Sequence, residues 1–199
     1  MVDTSSGFID RGRRRPSLGL VIVVCGPIAS GKSSLAIGVA RAFERRALKA
    51  ATIDLDLVYE MLEHTRAPKS DAAIWSRARR MAGALNDALL SDGIDVVIAE
   101  GDFLNEFERS EFVSMLRADV SVRFVTLTVP LETALLRVEQ DPTRGISRDR
   151  SFLARHYEEL AETLHRRLDD DLCLDTSNIT IEQAAESVVG WSLAVVASQ

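Results

Sequence analysis

From residue 18 onward the chain alternates short unbroken apolar runs with longer stretches in which apolar residues recur every three or four positions. The runs at 18–25, 50–54, 95–100, 122–129 and 172–175 are short and rich in Val, Ile and Leu, and read as strands. Between them the helical period predicts helices over 32–47, 57–64, 70–91 and 105–117, another from Pro130, and two more over 151–168 and 180–196. Within 70–91 the expected apolar stripe is Ala73, Ile74, Ala78, Met81, Leu85, Ala88 and Leu89, with Pro68 as a breaker and Ser70 as the cap. Pro130 suits a first helical turn, where no N–H is required. Thr180 followed by Gln183 is the pattern of a capping box. Strands alternating with helices specify an α/β fold, a parallel sheet with helices on both faces and right-handed crossovers.

The first run leads into Gly26-Pro27-Ile28-Ala29-Ser30-Gly31-Lys32-Ser33 and then Ser34, between a strand and a helix. Two glycines four residues apart followed by Lys and Ser are the phosphate-binding loop pattern in the setting it requires. The glycines let the backbone turn so that its N–H groups converge on an anion, at a helix N-terminus whose dipole also favours negative charge. Lys32 then reaches the outer phosphates, and the Ser33 hydroxyl is placed to ligate Mg²⁺. The expected ligand is a nucleoside triphosphate.

In parallel sheets ligands gather at the carboxyl ends of the strands. That rule collects the loop, Asp54 and Asp56, Glu100 and Asp102, and Asp175-Thr176-Ser177 at one rim. If the second strand persists through Asp56, its alternation sends both aspartates to one face; otherwise either one is simply a cap of the next helix. Glu100 ends an apolar strand, where an acid for water-mediated metal contact belongs. The segment 141–150 breaks the pattern with Pro, Gly and alternating charge and reads as a movable loop. Arg144, Arg148 and Arg150 lie in or beside it and Arg137 precedes it; guanidinium groups suit a γ-phosphate because they stay charged and grip two oxygens.

Composition sets limits. The chain has 199 residues, 46% hydrophobic and 27% charged, which suits one domain over 18–199 behind an arm at 1–17 that carries Arg11, Arg13, Arg14 and Arg15. The formal charge of −6 argues against a nucleic-acid partner. No run approaches the ~20 residues of a membrane span and no cleavable leader pattern is present, so a cytoplasmic protein, monomer or homodimer, is expected. Cys25 and Cys173 fall on strands separated by another and should not pair. His64, His156 and His165 show no metal-ligand spacing, and His156 and Tyr157 either face the acceptor or, as expected, lie on the surface of the helix after the loop. Tyr59, Arg66, Lys69, Trp75, Arg77, Arg79 and Arg80, in the long connection between the second and third strands, are the candidates for holding an acceptor.

The loop, the Asp-x-Asp after the second strand, the arginines around the fourth connection and the Asp-Thr-Ser turn together resemble the small kinases of the nucleoside-monophosphate-kinase-like group, which includes shikimate kinase, gluconate kinase, chloramphenicol phosphotransferase and the zeta toxins. The resemblance spans about 18–197. It implies a three-layer P-loop NTPase fold with a sheet of order 2-3-1-4-5 and a mobile lid at about 141–150, and transfer of the ATP γ-phosphoryl group to a hydroxyl of a small molecule. On that pattern Gly26, Ala29, Ser30, Gly31, Lys32, Ser33 and Ser34 hold the phosphates, and Arg137 and Thr176 flank the nucleotide. Arg144 and Arg148 approach the phosphates, and Ser33, Asp54 and Glu100 serve Mg²⁺. Asp56, Glu100 and Asp102 face the acceptor, with Asp56 as its base and Asp54 as metal support, or the reverse. Zeta toxins carry a similar Glu-Gly pair at the place of Glu100-Gly101. The absence of an Asn-Lys-x-Asp or Thr-Lys-x-Asp after the fourth or fifth strand counts against a GTPase switch. Two alternatives remain: a nucleotide-hydrolysing regulatory or toxin-like protein acting on a partner, and a polynucleotide-end kinase.

Overall fold

The protein is described by a computed structural model over residues 18–63, 71–142, 144–165 and 172–196. The arm at 1–17 lies outside these residues, as do His64, Arg66, Pro68, Lys69 and Ser70. Five strands, β1 (Leu20–Cys25), β2 (Ala50–Asp54), β3 (Val96–Glu100), β4 (Ser121–Thr128) and β5 (Leu172–Asp175), form one sheet in the order β2-β3-β1-β4-β5. Every neighbouring pair is parallel. Around it run α1 (Lys32–Glu44), α2 (Leu55–Leu62), α3 (Ala72–Ser91), α4 (Glu106–Val113), α5 (Leu131–Gln140), α6 (Arg150–His165) and α7 (Ile181–Val196), with a 3-10 turn at Ile146–Arg148. This is the P-loop NTPase fold, in the strand order expected.

β1 occupies the centre, and all six of its residues are fully buried. Alternation along the strand divides them between two cores. Leu20, Ile22 and Val24 pack with α1 and α7, and Val21, Val23 and Cys25 pack with α2, α3 and α4. Each such side chain contributes about 1.5–3 kcal/mol of burial. A third cluster joins Ala29 of the phosphate loop to Ala134 and Val138 of α5 and Leu153 of α6. The register Cys25↔Thr126↔Cys173 places β4 between the two cysteines, both of which are free thiols.

Local signals explain several helix starts. Asn105 and Glu108 close a capping box on α4, and Thr180 and Gln183 exchange side-chain bonds to each other's backbone N–H at the start of α7. Pro130 stands at the N-cap of α5, one place before the first turn. α3 departs from expectation. It is capped by Asp71, which accepts from Ala73 and Ile74 N–H at 2.8 and 3.2 Å, and Met81 and Leu85 of its expected stripe are exposed. Ala78 of the stripe is buried, and Ile74 and Leu89 are partly buried, but the rest of the buried face is Arg79, Ala82, Gly83, Asn86 and Leu90. α4 decides this, because it crosses so close that a Cβ on Gly83 would lie 2.3 Å from the Phe112 carbonyl oxygen. Arg79 is tolerated inside because its Nε donates to Glu111 at 2.8 Å, and Asn86 donates to the Ala82 carbonyl at 2.7 Å. Polar residues on the inward face hid it from a hydrophobic count. Among the described residues no helix is long and apolar enough to cross a membrane.

Candidate active site

The phosphate loop leaves β1 at Gly26, whose φ of 150° and whose approach to β4 both exclude a side chain; a Cβ would stand 2.7 Å from the Leu127 carbonyl oxygen. Ala29 and Gly31 then take left-handed φ values of 64° and 97°, an arrangement that an alanine adopts only when its surroundings hold it there. They do. The carbonyls of residues 26–31 each accept a hydrogen bond. Lys32 Nζ donates to Gly26 and Pro27 at 2.8 and 3.4 Å, and Tyr157 to Ile28 at 2.9 Å. Arg137 donates to Ala29 at 3.0 Å, Thr176 Oγ1 to Ser30 at 2.9 Å, and the Leu35 N–H to Gly31 at 2.9 Å. With its acceptors committed to these donors, the concave side of the loop presents N–H groups. It opens on the first turn of α1, which has no side-chain cap and no acidic residue. Orphan helical N–H groups beside a loop of amides form an anion site.

The strand ends bring carboxylates to the same place. Register sets Asp54 beside Glu100 and Glu100 beside Val24. Glu100 is 6% exposed. Burial pushes its carboxyl above the usual range; a hydrogen bond with Ser33 and the charge of Lys32 oppose that, while Asp54 and Asp56 add to it. Ser33, Asp54 and Glu100, all oxygen donors with excess negative charge, suit a hard divalent cation. Among the described residues no three His, Cys, Asp or Glu form a cage of their own. That is compatible with Mg²⁺, which keeps several waters and borrows phosphate oxygens.

β2 does not run on through Asp56. Asp54 is the N-cap of α2 and accepts the Asp56 N–H at 2.8 Å, so Asp56 sits exposed in the first helical turn instead of sharing a strand face with Asp54. The short polar side chain of Asp54 competes with strand pairing and wins. Asp102 comes within 3.8 Å of Lys32 Nζ.

Beside the loop a cavity of about 260 Å³ is lined by Ser34, Leu35, Arg137, Arg144, Thr176 and Ile181, among others. Arg137 ties its wall together through the Thr176 carbonyl at 2.6 Å and hydroxyl at 3.1 Å. Arg144 pairs with Asp141 at 3.1 Å at the rim, whereas Arg148 is exposed in the 3-10 turn and lines no part of this cavity. Of the acceptor candidates, Arg79 and Arg80 are spent on Glu111. Tyr59 is buried with its ring 4.4 Å from that of Trp75, and Arg77 is exposed.

Two contacts were not foreseen from sequence. His156 accepts the Ile28 N–H at 3.2 Å, and its neighbour Tyr157 holds the Ile28 carbonyl. Burial lowers the His156 pKa, with Asp102 and Glu159 opposing and Lys32 assisting. No pattern near residue 156 announces a partner 128 positions away.

The family model described as AAA domain matches residues 21–156. The chain belongs to this AAA domain family. The match takes in the phosphate loop, both carboxylate-bearing strand ends and the segment at 141–150. No curated protein matches the chain. Among solved structures this AAA domain is similar to a sugar kinase from a Janibacter species, with TM-score 0.62 and 20% identity over 88% of this chain and 96% of that one. It is also similar to shikimate kinase from Bacteroides thetaiotaomicron, at 0.61 and 17% over 86% and 97%. A gluconokinase from Sinorhizobium meliloti gives 0.60 and 19% over 94% and 99%. At these identities the likeness is one of fold, that of the small-molecule P-loop kinases.

Proposed function

We propose that this protein is an ATP-dependent phosphotransferase that moves the γ-phosphoryl group to a hydroxyl of a small molecule. The observation that carries the reading is the uncapped α1 N-terminus under a loop whose carbonyls are all committed to donors, with Lys32, Ser33, Asp54 and Glu100 converging beside it. The fold shared with sugar, shikimate and gluconate kinases supports it.

In this reading the amides of Ala29 and of Gly31 to Ser34 bind the β-phosphate, the Ser30 N–H being held by the Pro27 carbonyl at 3.2 Å, and Lys32 exchanges the Gly26 carbonyl for the β- and γ-oxygens. Ser33, with Asp54 and Glu100 through water, would hold Mg²⁺, which neutralises charge on the phosphates when bound. Adenine takes the cavity beside Arg137 and Thr176. Segment 141–150 acts as a lid that brings Arg144 and Arg148 to the phosphates and expels water. Asp56, at the open end of α2, accepts the acceptor's hydroxyl proton as the new O–P bond forms and the bond to ADP breaks; Asp102 orients the acceptor.

The test is ATP consumption with Mg²⁺ and a panel of hydroxylated acceptors, with the phosphorylated product identified by mass. Lys32→Ala should abolish transfer with the fold retained. Asp56→Asn should keep ATP affinity and lose about 10²-fold in transfer, the scale of a general base; full activity there would move the base to Asp102 or Asp54. Hydrolysis stimulated only by a protein, with no hydroxyl phosphorylated, would overturn the kinase reading.

A further inference from the structure

One helix grips the phosphate loop at a residue that is not among those lining the cavity. Ile28 stands at the apex of the loop, beyond the reach of β1 pairing and before the first turn of α1. Its two polar backbone groups are both taken by consecutive side chains of α6, the N–H by His156 Nε2 and the carbonyl by the Tyr157 hydroxyl. Both side chains are partly buried, and Leu153, one turn earlier on α6, is fully buried against Ala29 and α5. α6 begins at Arg150, at the end of the 141–150 segment, so the element that anchors the loop apex is continuous with the segment proposed above as a lid.

We propose that His156 and Tyr157 are positioning residues, a clasp that fixes the Ile28 peptide so that the following amides converge on phosphate, and that nucleotide affinity therefore depends on how α6 is docked. The chemistry is directional. Tyr157 must keep its proton to donate, and burial pushes its hydroxyl far above the ordinary range. His156 must be neutral at Nε2 to accept. The charged groups around it are Lys32 from α1, Asp102 from the β3–α4 connection and Glu159 on α6 itself. Protonation would set an N–H against an N–H and release the apex. Both side chains act through Ile28.

The inference rests on the nucleotide-binding reading above, and its test separates the two. Calorimetry of Mg·ATP binding is run on the wild type, His156→Phe, His156→Gln and Tyr157→Phe, alongside thermal melts. Phenylalanine fills the imidazole's space without an acceptor, and glutamine returns an acceptor oxygen. Losing one such bond should weaken ATP affinity about five- to tenfold in His156→Phe and in Tyr157→Phe, raising KM for ATP far more than it lowers kcat, while His156→Gln recovers to within about twofold. As pH falls below 6.5, the ordinary imidazole value beneath which burial holds His156, affinity of the wild type should drop relative to His156→Gln, whose acceptor does not titrate. Amide exchange across residues 26–31 is measured on the nucleotide-free proteins and should quicken in both Phe variants. Unchanged exchange and unchanged affinity in both, or equal losses in His156→Phe and His156→Gln, overturn the clasp. A wild type that binds no ATP overturns the nucleotide reading alone, since the exchange data still decide whether α6 holds the apex.

Discussion

Glu100 shows how a single residue at the candidate site is made costly to the fold. Its carboxylate is buried beside Asp54, and both burial and neighbouring charge resist its ionisation. Glu100→Gln relieves that burden, so the nucleotide-free variant should melt about 2–4 °C higher, the shift expected of ~1 kcal/mol in a chain of this size. Transfer should fall by at least about 10²-fold in the same variant. A lower melting temperature would mean that the Ser33 contact outweighs the buried charge. At this scale the sequence was informative where a side chain's chemistry is local. Lys32 and Ser33 were legible because the loop pattern encodes its own backbone. The partnership of Ile28 with His156 and Tyr157 was not, since it exists only once α6 folds back over the loop. The pairing of Asp54 with Asp56 was half legible: the residue types marked the place, but an Asx-type bond from the Asp56 N–H to Asp54 ended the strand at Asp54, two residues too soon for both to share a face.

Among elements, the strands were readable because each is a compact apolar run, while their order came from the resemblance to the small P-loop kinases and is the one observed. Helix faces were harder. α3 buries Arg79 and Asn86 while exposing Met81 and Leu85, because the helix is fitted to α4 through Gly83 and an ion pair and not through a continuous apolar stripe. Two glycines make the contrast testable. Gly83→Ala gains about 1 kcal/mol of helix propensity but forces a Cβ to 2.3 Å from the Phe112 carbonyl, and should lose about 1–2 kcal/mol net through overpacking. Gly190 is exposed on α7, and a Cβ added there would meet nothing within 4 Å; its replacement by Ala should gain up to about 1 kcal/mol. Urea midpoints of the two variants should therefore move in opposite directions, and a shared direction would remove the close α3–α4 contact as the cause.

For the molecule as a whole, three groups pull stability in different directions under acid. His156 is held below its ordinary 6.5, so the unfolded chain binds more protons between the two values and stability falls as pH drops through that window. Burial pushes Glu111 up, but hydrogen bonds from Ser76 and Arg79 and the charge of Arg80 outweigh it and hold it below 4.5. Its contribution is present above 4.5 and lost below. Glu100 has the opposite sign: the folded chain holds its proton above 4.5, so acidification strengthens the fold there. Urea midpoints from pH 8 to pH 4 should decline gently in the wild type and more steeply in Glu100→Gln, which lacks the compensating group. Parallel curves would deny Glu100 that role.

The strand that carries the phosphate loop stands in the middle of the sheet, flanked by residues 96–100 on one side and 121–126 on the other. Both flanks lie far downstream in the chain. During synthesis, the greasy segment Leu20–Cys25 must wait until Thr126 has cleared the ribosome before it has a neighbour on each edge. Until then the nascent protein carries an unsheltered, sticky strand beside a nucleotide loop with no second wall, and its ability to grip a ligand arises only in the last third of translation.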